Sequence, residues 1–168
     1  MARVLRECIW KARWILPPSL RRRVLLELPP LMRLLNYEAV MDEAGLQDLR
    51  ELLDMTLILQ GDIVECGCDR CGTSVIMANQ LRSRGVKKTI YACDTFEGFL
   101  PDELRREREL GRTEVPQTTF VFPHQYEYVR KKLLRLGMDG QVVPVKGSFQ
   151  DTFPTFITAG KLLSFVLV

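Results

Sequence analysis

The chain is poor in several things that would decide a function quickly. It has a single histidine, His124, and no uninterrupted apolar run near the ~20 residues that a membrane-spanning helix needs, so no transmembrane segment is expected. Charges break up the apolar positions of the N-terminus, and no small-residue cleavage site follows them, which argues against a secretory signal. Five cysteines, three of them crowded into one turn, do not make a disulfide framework, and a reducing cytoplasm suits them best. Internal repeats, low-complexity tracts and the dinucleotide pattern G-x-G-x-x-G are all missing. Aromatic residues do not interleave with Arg130, Lys131, Lys132 and Arg135, so this basic run reads as a solvated helix face and no nucleic-acid partner is expected.

What remains is an ordinary soluble composition, 46% hydrophobic and 27% charged over 168 residues, enough for one domain with a real core. The charge is uneven. Residues 1–35 hold eight Arg and Lys against two Glu, a net of +6, which leaves −3 for the rest of a +3 chain. Residues 1–36 therefore form a basic arm, read as short helices over 2–15 and 19–26 ended by Pro17-Pro18 and Pro29-Pro30. Such an arm suits an anionic partner, a membrane surface or a homodimer contact, with a solvated amphipathic helix pair as the plain alternative.

Beyond the arm, apolar residues at helical spacing predict a helix over 38–58 that Gly45 weakens. Strands are predicted at 62–66, 89–93, 141–146 and 162–168, with helices at 73–84 and 126–136. Residues 96–119 read as a long loop with one helical turn. The alternation predicts an α/β fold, a doubly wound, mostly parallel sheet with helices on both faces, over residues 37–168.

The most informative stretch is Gly61–Ser74, where Ile63 and Val64 run into Glu65 and then a small-residue turn before a helix. Glycines let a ligand approach the backbone, and a helix N-terminus offers free N–H groups, as in nucleotide-like cofactor sites. Cys66-x-Cys68-x-x-Cys71 in the same stretch admits a rival reading as a zinc or iron–sulfur site, with Cys93 as a further candidate. Asp94 ends the second strand, where a carboxylate accepts hydrogen bonds from ribose hydroxyls; the plain alternative is a turn cap. His124, at the start of a helix, is either a candidate general base or a helix-start residue.

Three blocks then occur in order: Val64-Glu65-Cys66-Gly67, Tyr91 to Phe99 (Y-A-C-D-T-F-E-G-F), and Val145 to Pro154 (V-K-G-S-F-Q-D-T-F-P). Together they resemble the macrocin O-methyltransferase family, a branch of the class I S-adenosylmethionine-dependent methyltransferases with a Rossmann-like fold. The resemblance runs from about residue 37 to 168. It implies that Glu65 and Gly67, with Cys66, Gly72 and Thr73, shape the turn near the cofactor's methionine part. It implies that Asp94 holds the ribose, that Thr95 and Phe96 border the cofactor, and that Gly147, Ser148 and Phe149 lie near the adenine. A small hydroxylated substrate, sugar or phenolic, and a Mg²⁺-type ion are implied as well.

Two departures from the family's pattern bear on these expectations. Glycine is usual where Cys71 stands, so the cysteine is expected to crowd the cofactor or restrict the turn. The family's acidic metal motif and last strands would follow Val168, so no metal ligands are expected here and the chain reads as truncated after its fourth strand. Three functions stay open: an O-methyltransferase, a non-catalytic cofactor-binding or interaction remnant, and a cysteine-ligated metal module.

Overall fold

The computed structural model describes residues 38–116 and 118–168. The basic arm, its two expected helices and the homodimer contact assigned to them lie outside the described residues.

The first described helix, α1 (Glu43–Thr56), starts because Asp42 caps it, its carboxylate accepting the Gly45 N–H at 2.8 Å. Gly45 therefore sits inside the capped first turn and does not break the helix. Leu46, Leu49 and Leu53 fall on one buried stripe. Strand β1 (Asp62–Cys66) follows, then α2 (Gly72–Ser83), β2 (Ile90–Asp94), α3 (Pro101–Glu109), α4 (Gln125–Arg135), β3 (Val142–Lys146), α5 (Phe149–Thr158) and β4 (Leu163–Leu167).

Two of these helices differ from the sequence expectation. Helix α3 runs nine residues where one turn was expected, with Pro101 at its start, Asp102 and Glu103 in its first turn and Arg106 and Arg108 in its last. Its single buried residue, Leu104, leaves almost no apolar period to read. Helix α5 was not expected at all, because Pro154 falls inside it. Ser148 starts it: its hydroxyl accepts the Asp151 N–H at 3.1 Å, a side-chain cap, and donates to the Asp151 carboxylate at 2.6 Å.

The four strands form one all-parallel sheet in the order β3-β2-β1-β4, the α/β doubly wound arrangement expected. Alternating side chains divide the interior into two layers. Ile63, Ile90, Ala92 and Val142 meet α1, α2 and α4 in the larger core, where Leu53, Met77, Leu81 and Leu133 are fully buried. On the other face, Val64 and Cys93 pack with Phe156 of α5. Helix α2 is buried on most sides, since it lies between the sheet and its neighbouring helices.

Pairing continues past the strand ends. Gly67 donates its N–H to the Cys93 carbonyl at 2.9 Å, and Gly147 donates to the Asp94 carbonyl at 3.0 Å. The turns after β1, β2 and β3 are thus locked side by side at one edge, where parallel α/β sheets place their ligands.

Candidate functional site

A cavity of about 300 Å³ opens at this edge, the lower end of the ~300–1,000 Å³ usual for small-molecule clefts. Its walls come from all three turns: Gly67 and Asp69 after β1, Asp94 and Thr95 at the end of β2, and Gly147, Ser148 and Phe149 after β3. Helix α3 adds Glu103, the segment before α4 Phe120, and the first residue of α4 Gln125. A larger depression of about 460 Å³ lies between α4 and β3, beside Arg130, Lys131 and Pro144, away from the strand ends. Sheet topology favours the smaller one as the functional site.

The turn after β1 is built from residues in left-handed backbone conformations. Gly67 has φ +77°, Asp69 +46° and Cys71 +55°, and the Cys71 N–H closes a tight turn on the Cys68 carbonyl at 2.7 Å. A side chain at Gly67 would meet no protein atom within 4 Å, so this glycine leaves open space over the turn. At Gly72 the constraint is the opposite, because a Cβ would stand 2.2 Å from the backbone at Glu38 and Ala39. The segment before α1 therefore lies directly on the start of α2.

Asp94 is held by its neighbours' amides. One carboxylate oxygen accepts the Asp69 N–H at 2.8 Å and the other accepts the Phe96 N–H at 2.8 Å. Burial pushes its carboxyl up, and these two amides pull the other way. It thus caps its own turn, as the plain reading has it, and also faces the cavity.

Glu65, Cys66, Gly72, Thr73 and Phe96 are not brought into the cavity wall. Glu65 is buried beneath the turn and accepts a short hydrogen bond from the Ser74 hydroxyl. Burial is the largest influence on it and raises it from 4.5 to about 7. It fastens the first turn of α2 to the end of β1. Phe96 turns inward onto Tyr126, with ring centroids 5.2 Å apart.

The cysteines do not converge. Cys71 is fully buried and points its Sγ–H at Cys68 Sγ, 3.5 Å away, in the core and not toward the ligand space, so the crowding expected of it does not arise. Its cost is the left-handed backbone that glycine adopts more readily. Burial pushes the Cys68 thiol well above its ordinary range and Cys93 up to about 12, which keeps both as neutral thiols in the core. Among the described residues no three His, Cys, Asp or Glu side chains are placed to hold a metal ion. Neither the cysteine-ligated module nor the divalent ion implied by resemblance finds a ligand set among them.

His124 stands at the start of α4, exposed and with φ +55°, and is not part of the cavity wall. The next residue, Gln125, is, and no motif or period pointed to it. Gln125 donates from Nε2 to Asp69 Oδ1 at 2.9 Å, while Arg70 Nε meets Asp69 Oδ2 at 3.0 Å. Arg70 lies over the Phe122 ring at 5.0 Å and reaches the Glu38 carboxylate at 3.6 Å. Glu38 also accepts from the Tyr128 hydroxyl at 2.9 Å and Lys132 Nζ at 2.7 Å, and Lys132 donates to the Arg70 carbonyl. Glu38 and Lys132 form a fully buried ion pair, 1% and 2% exposed, that supports the turn from behind.

The sequence pattern that defines the Macrocin-O-methyltransferase (TylF) family matches residues 34–163. The chain belongs to this family. Among curated proteins no relative matches it. The three blocks that carried the resemblance are those that the macrocin O-methyltransferase fold gathers here: they end β1, β2 and β3 and run into the three turns around the cavity. The family's activity is O-methyl transfer. Among the described residues no helix is long and apolar enough to cross a membrane.

Proposed function

We propose that the cavity binds S-adenosylmethionine and that the chain serves methyl transfer to a hydroxyl of a small metabolite, a sugar or a phenol. The observation that carries this reading is the position of Asp94, at the end of β2, in the wall of a cavity that also exposes the glycine turns after β1 and β3. Bound there, S-adenosylmethionine supplies an electrophilic methyl group on a positively charged sulfur. Asp94 has lone pairs beyond those given to the Asp69 and Phe96 amides, and these accept a ribose diol. Gly147 and Ser148 would flank the adenine, beside the half-exposed Phe149 ring, which stacks on Phe153 at 5.2 Å. Phe99 and Phe120, edge to face at 5.8 Å and partly exposed, give the cavity mouth an apolar rim that excludes water around an acceptor ring. His124 stands outside the wall of this cavity.

Isothermal calorimetry with S-adenosylmethionine tests the reading. Binding is expected for the chain as it stands. Asp94→Ala should weaken it by a factor of about 100 or more, as two charge-assisted hydrogen bonds are lost, while circular dichroism stays native. Absence of binding at millimolar cofactor, or equal binding by the variant, refutes it.

A further inference from the structure

The polar wall of the cavity is made of acceptors. Three carboxylates, Asp69, Asp94 and Glu103, line it, and among the described residues no Lys, Arg or His does. Both hydroxyls of the wall are already committed: the Thr95 hydroxyl donates to the Gly98 carbonyl at 2.6 Å and the Ser148 hydroxyl to Asp151. The Asp69 and Gly67 amides are taken by Asp94 and the Cys93 carbonyl. Gln125, only 3% exposed, has no hydrogen-bond partner on its Oε1 among the described residues, so a buried acceptor at this wall awaits a donor. Arg70 and Lys132 engage Asp69 and Glu38 from behind and do not reach the wall. A ligand that brings hydrogen-bond donors and positive charge suits such a wall.

We infer that this acceptor wall discriminates by charge, holding the sulfonium cofactor in preference to its thioether product, with Asp69 and Glu103 setting the preference. The inference rests on the reading of the cavity as an S-adenosylmethionine site. When the methyl group passes to the substrate oxygen, the electron pair of the broken sulfur–carbon bond stays on sulfur. The oxygen's proton leaves to solvent, and the bound nucleoside loses one positive charge. The adenine, ribose and amino-acid ends are unchanged, so hydrogen bonds to them hold both forms equally. Only groups that respond to the charge on sulfur separate donor from spent product, and a wall of carboxylates does so over a distance, without touching the sulfur.

The test is calorimetry of S-adenosylmethionine and S-adenosylhomocysteine against the unaltered chain, Asp69→Asn and Glu103→Gln. Asparagine keeps an oxygen for Gln125 Nε2, and Glu103 is exposed, so both variants should fold; thermal melting checks this. Each variant is expected to lose about fivefold more affinity for the sulfonium than for the thioether, the size of one partly screened charge interaction. Raising the salt should shrink the same ratio in the unaltered chain. A ratio unmoved by both substitutions, or equal weakening of the two nucleosides, overturns the inference and leaves the cofactor reading standing. Failure of both nucleosides to bind the unaltered chain overturns both.

Discussion

Replacing Glu65 with glutamine should make the protein more stable at neutral and alkaline pH and flatten its stability profile. Glu65 is buried under the turn after β1 and its carboxyl is raised from 4.5 to about 7, chiefly by burial. The folded chain therefore binds this proton more tightly than the unfolded chain. Stability that the protonated group contributes is complete below pH 4.5, falls as pH rises toward 7, and is gone above it. At about 1.36 kcal/mol for each pH unit over that interval, the loss is of the order of 3 kcal/mol, a large part of the ~5–15 kcal/mol typical of a domain. Glutamine cannot ionise, keeps an oxygen for the Ser74 hydroxyl and nearly keeps the volume. Urea denaturation at half-unit steps from pH 5 to 8 gives the comparison. The unaltered chain should lose stability steadily up to about pH 7, and Glu65→Gln should lose clearly less. A difference between the two proteins that does not change with pH would refute the argument.

Lys132→Met leaves the buried Glu38 carboxylate without its closest cation, and should cost about 3–5 kcal/mol in chemical denaturation. Adding Glu38→Gln to that variant should restore much of the loss. Gly72→Ala puts a methyl group into the backbone at Glu38 and Ala39, and thermal unfolding should show a loss of about 3 kcal/mol or more. His124→Ala, at an exposed position outside the wall, should leave cofactor affinity within twofold by calorimetry.

The strands were legible in the sequence because each is a short β-rich run ended by a turn, and β1 falls on the residues expected of it, Asp62–Cys66. Helix α5 was not, since Pro154 masks it, although Phe149, Phe153 and Phe156 already carry a helical stripe and Ser148 a cap. The cavity wall was legible where it follows a strand end, at Gly67, Asp94 and Gly147. It was not legible at Gln125, whose tie to Asp69 spans 56 positions, nor in the ion pair of Glu38 and Lys132, 94 positions apart. Such contacts depend on which helices share a face of the sheet, and no local period encodes them. Glu65 lies at a strand end, where the resemblance has it shape the turn that follows, and its burial beneath that turn with a bond from Ser74 depends on how the turn folds back and not on any local period.

The hydrogen bond from Gly147 to the Asp94 carbonyl sets when the cavity can exist during folding. The walls span residues 40–149, and the last of them arrives only once β3 has aligned along β2. Parallel pairing of this kind closes long loops before it is rewarded, which makes it a late event. The cavity is therefore absent from any partly folded chain in which β1 and β2 alone have met. A ligand that occupies it draws its stabilisation entirely from the finished sheet, so ligand-dependent protection should extend to the backbone amides of β3 as fully as to those of the glycine turn.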